Sequence, residues 1–338
     1  MIFSYRTRQF LRKLLSVLLV IVALLAIALV CLSAWLRRFI VYTPDGAKLD
    51  FSIVTPAPPA QTPTQPDRLD ISIEFRDEDE VQAEQPVEIP RLSGYYVSSD
   101  MLKNDIPGLR AKLEQLPAGT AVLLDLKSYW GYFFYSSNLG PSSDSYLIAE
   151  VDALIHQLAQ SDLYLIARLP ALRDYEFAKN NTSCGLPTKK GYLWTDENGC
   201  YWLDPTNDGT LTHLIQITKE LRSLGFDEVV FQNFYIPENT KIVFQGDRKE
   251  AIEKAAETLV TSCATDHFTV SFMGYTLDLK LPEKNCRLYL TDIAAAEVSD
   301  ILSQVQIADT TRNVVFLALT NDTRYDVCGV LRPLELAH

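Results

Sequence analysis

The sequence has few of the residues on which nucleic-acid binding, zinc sites and dinucleotide folds depend. Acidic residues outnumber basic ones, 43 against 31, so the net charge is −12, and no Lys/Arg stripe with interleaved aromatic residues occurs. Because binding to a phosphate backbone requires a basic face, nucleic acid is excluded as a partner. With four histidines and no C-x-x-C pair, a structural zinc site has no support. No G-x-G-x-x-G follows a first strand, so the sequence predicts neither a metal nor a cofactor.

Cysteine is also sparse, with six residues in the whole chain. Cys31 lies in an apolar run near the N-terminus, which leaves an odd number elsewhere and at least one thiol free or intermolecular. Cys184 and Cys200 lie in one long loop and are the most plausible disulfide pair. Whether they are joined depends on the redox compartment, which the cysteine pattern leaves open.

Charge is absent throughout residues 14–36, LLSVLLVIVALLAIALVCLSAWL. A helix of about 20 apolar residues spans the hydrocarbon core of a bilayer. The run is longer than the apolar part of a signal peptide and ends in Trp35, a residue typical of the membrane interface. We therefore predict a transmembrane helix and a lipid bilayer as one partner.

Basic residues flank this run unevenly, and the excess lies on its N-terminal side. Because positive flanks favour the cytoplasm, we expect the N-terminus inside and the rest of the chain outside, in a single-pass membrane protein. The residues concerned are Arg6, Arg8, Arg12 and Lys13 before the run, and Arg37 and Arg38 after it.

Composition divides the chain into four parts. Residues 1–13 form a basic N-terminus, and the predicted transmembrane helix follows. Residues 37–90 are Pro-rich and acidic, which is typical of an extended linker. Within the linker, residues 69–75 alternate apolar and polar side chains, so we predict a short strand that docks on the following domain. Residues 91–338 form that domain.

From residue 91 onward, apolar strands alternate with amphipathic helices. This order is typical of a parallel sheet covered by helices, and its length fits a TIM-type (β/α)8 barrel of the α/β class. The late units are short, so we expect the barrel to be irregular, shortened or incompletely closed there. The predicted strands are 94–101, 121–130, 163–170, 228–235, 267–275, 287–293, 313–320 and a short eighth at 328–334. The predicted helices are 107–116, 144–160, 208–224, 247–262 and 294–306.

In such barrels the functional site lies at the C-terminal ends of the strands. Asp125 and Lys127 are two residues apart in the second predicted strand, so their side chains project to the same side. Inside the barrel they would form a buried charged cluster with Arg168. Either Asp125 is a catalytic acid or an anchoring carboxylate, or the cluster is a structural ion pair that closes the barrel.

The connection after the third strand is unusually long, and its residues 191–205 read GYLWTDENGCYWLDP. The Asn-Gly turn between two aromatic segments predicts a β-hairpin. Aromatic faces at a barrel mouth suit sugar rings, but the same rings could pack the hairpin onto the barrel. The aromatic residues are Tyr192, Trp194, Tyr201 and Trp202.

Four ordered motifs resemble a known family, the membrane-anchored or secreted bacterial TIM barrels that are described as glycoside hydrolases. They cover roughly residues 91–240. The segment VLLDLKSYWG is similar to the second-strand motif of the family, and LIARLPAL to its third-strand motif. YLWTDENGCYWLDP resembles the Trp-containing hairpin, and LGFDEVVFQNFYIP resembles the strand GFDEIQFDYVRFP. The resemblance implies a glycoside-hydrolase-like barrel with a glycan ligand.

The sequence departs from the family at positions that matter for catalysis. Gln232 stands where the family has an aspartate, Tyr235 stands in place of an arginine, and Ser128 replaces an acidic residue. An amide cannot act as a general acid, a general base or a carboxylate nucleophile. If the family's aspartate is catalytic, Asp125 is the main carboxylate left, with Asp204 or Asp292 as a partner if geometry allows.

Two functions follow from these observations. One is an extracytoplasmic barrel that binds, and in its active form hydrolyses, an envelope or exported polysaccharide, with Asp125 as the acid. The other is a non-catalytic descendant that binds glycan or acts as an envelope scaffold. In both cases the two amides, Gln232 and Asn233, would bind sugar hydroxyl groups at the barrel mouth. The predicted substrate-binding residues are Lys127, Trp130, Arg168, Trp194, Trp202, Asp204, Gln232, Asn233 and Tyr235.

Overall fold

A computed structural model describes residues 40–43, 46–49, 89–274 and 279–334. The chain divides into two units, 1–80 and 81–338, and each is described by itself. The run at 14–36 and the predicted strand at 69–75 lie outside the described residues.

The first unit contains one antiparallel pair of strands, β1 (Ile40–Thr43) and β2 (Gly46–Leu49). This pair lies within residues 37–90, for which the composition predicts an extended linker. Among the helices of the described ranges, none is both long and apolar enough to cross a bilayer.

The second unit is a closed barrel of eight parallel strands, which confirms the predicted TIM-type architecture. The last strand pairs with the first and with its predecessor, so the expectation of incomplete closure is wrong. The pairing is nevertheless short between the strands that begin at Thr269 and Leu288. Only Phe272 with Leu288 and Met273 with Tyr289 are paired there. The barrel strands are β3 (Ser93–Val97), β4 (Ala121–Asp125), β5 (Tyr164–Pro170), β6 (Glu228–Gln232), β7 (Thr269–Met273), β8 (Leu288–Thr291), β9 (Val314–Leu317) and β10 (Gly329–Pro333).

Helices surround the barrel, and the long ones begin at side-chain caps. The side chains of Asp144, Asn207 and Asp247 accept hydrogen bonds from backbone N–H groups in the first turns of three helices. These N–H groups have no partner within the helix, so the caps satisfy them. The helices of the described residues are α1 (Ser99–Asn104), α2 (Ile106–Leu113), α3 (Ser145–Leu158), α4 (Tyr175–Asn180), α5 (Asp208–Ser223), α6 (Arg248–Cys263), α7 (Val298–Gln304) and α8 (Thr310–Asn313). Short 3₁₀ turns occur at Thr182–Cys184, Ala295–Glu297 and Thr323–Val327.

The strands are apolar on both faces because each face is buried. In β4, Val122 and Leu124 belong to the core between strands and helices. Ala121 and Leu123 belong to a second core inside the barrel. This two-sided burial explains why the strands read as nearly continuous apolar runs.

A buried ion pair occupies the N-terminal end of the barrel interior. Glu228 of β6 and Arg287, just before β8, form a salt bridge, and both side chains are fully buried. The hydroxyls of Tyr164 and Tyr289 each donate to Glu228 at 3.0 Å, and that of Ser271 at 2.5 Å. Both carboxylate oxygens therefore have partners, as a buried charge requires.

The predicted disulfide between Cys184 and Cys200 does not form, so that prediction is wrong. Both thiols are free and buried. The Cys184 thiol donates to Asn207 Oδ1 at 3.3 Å, and the Cys200 thiol donates to the Tyr129 carbonyl at 3.2 Å. Burial raises the pKa of the Cys200 thiol to about 12. Each sulfur is thus held by a different polar partner.

We expect the substitution Glu228→Gln to destabilise the barrel because Arg287 would become a buried cation without a counter-charge. Removing one partner of a buried pair costs about 3–5 kcal/mol. Urea denaturation should show a loss of this size in the free energy of unfolding. The matched control is Glu257→Gln, at an exposed position of α6, for which a change within about 0.5 kcal/mol is expected. Equal losses in the two variants would refute the role of the pair.

Candidate functional site

A second ion pair lies at the opposite end of the barrel, at its mouth. Asp125 ends β4, and Arg168 lies beside it in the register of β5. Arg168 donates from Nε to Oδ1 at 2.5 Å and from Nη2 to Oδ2 at 2.9 Å. The backbone N–H of Ser99 also donates to Oδ2, at 3.2 Å. The Asp125 side chain is 14% exposed and that of Arg168 is 12% exposed. The site therefore contains an anchored carboxylate that solvent still reaches.

Tyr96 and Asp292 complete the polar side of the mouth. The Arg168 guanidinium lies 5.9 Å from the centre of the Tyr96 ring. Burial raises the pKa of the Tyr96 phenol; Arg168 opposes this rise, and the carboxylates of Asp125 and Asp292 add to it. Asp292 follows β8, so a second carboxylate is close enough to act on the same phenol as Asp125.

Gln232 and Asn233 lie where β6 ends. Gln232 is half-buried and pairs in register with Pro170 of β5. Its backbone carbonyl accepts a hydrogen bond from the Ala171 N–H at 2.8 Å. Asn233 has a φ of 54°, and Asp292 has a φ of 58°. Asn and Asp tolerate this left-handed conformation better than most residues. The chain thus turns directly after Gln232, and the strand alternation that separates the two amide side chains ends there.

Lys127 lies away from Asp125, contrary to the charged cluster that the spacing predicts. The strand ends at Asp125, so the alternation on which that prediction rests does not continue to Lys127. Lys127 forms a salt bridge with Asp174, and both side chains are 1% exposed. Asp174 also accepts from the Phe177 N–H at 3.0 Å as the cap of α4. This pair joins the loop after β4 to the loop after β5, which favours a structural role for Lys127.

His213 of α5 lies beside this pair, in a cavity of about 130 Å³. Its ring stacks on Phe177 at 3.7 Å, and its Nε2 lies 3.7 Å from Asp174 Oδ2. Burial lowers the pKa of His213, and Lys127 lowers it further, while Asp174 opposes the change. Burial by itself would raise the pKa of Asp174, but Lys127 and His213 hold it well below its usual range. The cluster is therefore a neutral imidazole beside a charged pair.

Of the predicted hairpin tryptophans, neither lies on the surface. Trp194 is 7% exposed and Trp202 is 3% exposed. The Trp202 ring packs on Trp194 at 6.4 Å and on Tyr235 at 4.9 Å. Asp204 caps a turn through the N–H of Thr206 at 2.8 Å and its hydroxyl at 2.6 Å. These contacts favour the packing role for both tryptophans and a local role for Asp204.

Trp130 differs from the other two, because 37% of its side chain is exposed. It lies in the loop after β4, five residues after Asp125, and contacts Tyr129 and Tyr175. Among the described residues, no group of three or more His, Cys, Asp or Glu side chains is placed to hold a metal ion. The mouth is thus built from one ion pair, amides, a phenol and nearby aromatic rings.

The fold and the sequence both relate this chain to glycoside hydrolases. Residues 109–270 match the model of a family described as "Putative glycosyl hydrolase domain", which confirms the resemblance of the motifs. No curated protein matches the chain. Residues 109–270 are thus similar to that family of glycosyl hydrolase domains.

The barrel fold is shared with a solved glycoside hydrolase at low sequence identity. The α-galactosidase AgaA of Geobacillus stearothermophilus is 11% identical, with a TM-score of 0.50, over 73% of this chain and 39% of that one. A hypothetical protein of Ruminiclostridium thermocellum is 21% identical, with a TM-score of 0.44, over 53% of this chain and 96% of that one. The chain thus spans about two fifths of the α-galactosidase, and the similarity concerns the fold alone.

Sequence reasoning found Asp125, Arg168 and Gln232 but missed Asp174 and His213 as a buried cluster. Asp174 precedes a short helix as a cap, a pattern that carries no sign of an ion pair. His213 lies on the apolar face of α5, where it reads as an ordinary core residue. Asp174 and His213 approach Lys127 only when the chain has folded, because the three residues lie far apart in the sequence.

We expect acid to destabilise the barrel through His213, because its pKa in the folded state lies below the ordinary value of 6.5. Below that value the unfolded chain binds a proton that the folded chain excludes, so the free energy of unfolding falls as the pH drops. His213→Phe, which keeps a ring against Phe177, should flatten this slope just below pH 6.5. The exposed His156→Phe is the matched control and should retain it. Parallel pH profiles of the two variants would contradict this assignment.

Proposed function

We propose that the barrel mouth binds a glycan through Asp125, Arg168 and Gln232 and does not hydrolyse it by the two-carboxylate mechanism. The observation that carries this proposal is the engagement of both Asp125 oxygens by Arg168. The similarity of residues 109–270 to a glycosyl hydrolase family supports a glycan as the ligand.

A general acid must carry a proton before it can protonate a leaving group. Both oxygens of Asp125 instead accept hydrogen bonds from donors of the protein, Arg168 and the Ser99 N–H, which hold the carboxylate in one orientation. Asp125 is therefore suited to orient Arg168 and to accept bonds from sugar hydroxyls.

The position expected for the second catalytic group holds an amide. Gln232 ends β6, and its side chain can donate to and accept from hydroxyl groups but cannot transfer a proton as an acid or a base. Asp292 is the carboxylate that would have to act with Asp125 in hydrolysis. Binding needs neither of these transfers, so the geometry favours binding.

We expect Gln232→Leu to weaken glycan binding by about 2- to 10-fold, the usual effect of losing one hydrogen bond to a neutral group. Binding of the full-length protein to a panel of cell-wall and exported polysaccharides is the measurement. Gln216→Leu changes an exposed amide of α5 and serves as the control. A protein that binds none of the panel would leave only a scaffold role.

The absence of hydrolysis is tested on the same panel. We expect no release of reducing sugar by the wild-type protein, and none by Asp125→Asn or Asp292→Asn. Hydrolysis that both substitutions abolish would refute the non-catalytic reading and identify Asp125 and Asp292 as the acid pair. Hydrolysis unaffected by Asp125→Asn would refute a catalytic role for Asp125.

The membrane anchor belongs to the same proposal. Residues 14–36 are uncharged and long enough to span a bilayer, and the basic flank precedes them. The barrel then stands outside a bacterial plasma membrane, where polysaccharide is accessible.

Membrane anchoring predicts that the protein stays in the membrane pellet after alkaline extraction. Protease added to intact spheroplasts should digest residues 81–338, because these lie outside. Replacing Leu24 and Leu25 by Arg should release the protein into the soluble fraction, since charge at the centre of a span costs about 2.5–3.5 kcal/mol per residue. Protection of the barrel from protease would reverse the proposed orientation.

A further inference from the structure

We infer that the barrel carries an aromatic platform that binds an uncharged polysaccharide chain beside the mouth; this inference rests on the proposed function. The platform consists of Tyr129, Trp130, Tyr132, Tyr175 and Tyr201. Trp130 is 37% exposed and Tyr132 is 41% exposed, whereas the other three rings are half-buried beneath them.

Four of the rings pack against one another in a row, and Tyr132 lies two residues after Trp130 in the same loop. The centre of the Trp130 ring lies 5.4 Å from that of Tyr129 and 5.3 Å from that of Tyr175. Tyr175 in turn stacks on Tyr201 at 5.0 Å with an interplanar angle of 10°. Rings at these distances pack as aromatic pairs do in protein cores. Here the outer ring remains exposed, as a surface for sugar C–H groups requires.

Backbone hydrogen bonds hold the platform rigid. The Tyr175 N–H donates to the Tyr129 carbonyl at 3.1 Å, and the Glu176 N–H donates to the Trp130 carbonyl at 3.2 Å. The Asp174 N–H donates to the Tyr201 carbonyl at 3.2 Å. Three chain segments are thus joined without using the exposed ring faces. A surface fixed before binding loses little conformational entropy when a ligand arrives.

The buried pair of Lys127 and Asp174 lies directly beneath this arrangement. A Cβ atom on Gly131 would meet Asp174 Oδ1 at 2.6 Å, and Gly131 has a φ of 92°. The loop that carries Trp130 therefore approaches the carboxylate as closely as only a glycine permits. The fully buried pair of Lys127 and Asp174 thus supports the loop that carries Trp130.

The charges around the platform indicate an uncharged ligand. Three cations contact aromatic rings of this region, and each has a carboxylate partner. Arg173 lies over Tyr129 and pairs with Asp196, and Lys179 lies over Tyr175 and pairs with Glu176. Lys127 lies over Phe133 and pairs with Asp174. An anionic polysaccharide would find no uncompensated cation among these three, so a neutral glycan is the better fit.

The platform loop follows the mouth residue Asp125 closely in the sequence. Trp130 follows Asp125 by five residues, a separation of at most about 18 Å even for an extended chain. A sugar held at Asp125 therefore leaves neighbouring units of the same chain within reach of Trp130. The ligand class is a chain of several neutral sugars rather than a single sugar.

The test compares neutral disaccharides and hexasaccharides of the cello, malto, chito, manno and xylo series. Calorimetry with the full-length protein should show the best-binding hexasaccharide at least about 10-fold tighter than its disaccharide, as expected for added ring stacking. Trp130→Ala should remove this gain, so that the hexasaccharide and the disaccharide bind this variant with equal affinity. Tyr132→Ala should reduce the gain, and Tyr192→Ala, at a 72% exposed ring outside the platform, should not. Gln232→Leu should weaken both lengths equally.

Each outcome separates the platform from the mouth. Equal affinity for both lengths, with Trp130→Ala like wild type, would overturn the platform and leave the mouth proposal standing. Binding of no glycan in either length would overturn both. The neutral assignment would be overturned if polygalacturonate bound more tightly than any neutral chain and its affinity fell as NaCl rose from 50 to 500 mM. Salt weakens the attraction between charges, because the Debye length is about 10 Å at 0.1 M and shorter at higher salt. Retained circular dichroism and melting temperature in Trp130→Ala and Tyr132→Ala exclude misfolding as the cause of lost binding.

Discussion

The buried salt bridge between Glu228 and Arg287 is the constraint on which the barrel depends. It fills the N-terminal end of the interior, where apolar side chains would otherwise meet. Arg287 also donates to the carbonyls of Pro90 and Arg312, at 2.7 and 3.1 Å, so one guanidinium joins three parts of the chain. Such a pair is stable only because every polar atom has a partner. The polar packing of this end in turn fixes how the strands close around it.

The barrel thus has two ion pairs in its interior with different environments. Glu228 and Arg287 are fully buried, whereas Asp125 and Arg168 are reached by solvent. The hydrogen-bonding groups of Glu228 and Arg287 are occupied by other protein groups. The pair of Asp125 and Arg168 lies beside amides and the Tyr96 phenol. The fully buried pair and the solvent-accessible pair therefore lie at opposite ends of one interior, and in this fold functional sites lie at the end where Asp125 and Arg168 are found.

The sequence predicted the fold well because strand and helix periodicity follow from local burial. All eight strands and the long helices appear where the apolar patterns indicate, with ends displaced by a few residues. The site was predicted less well for a physical reason. Asp125 and Lys127 separate because the strand ends between them, and strand ends depend on register with neighbours rather than on local pattern. The partners of Glu228 and Lys127 come from distant segments, which no spacing in the sequence reveals.

The cysteines have a consequence for how this protein matures. The five thiols of the described residues are free and buried, and burial raises the pKa of Cys200, Cys263, Cys286 and Cys328. Thiol–disulfide exchange requires a thiolate, which these sulfurs form only with difficulty. Because none of these five thiols forms a disulfide, we expect reductants to leave the described part of the barrel folded.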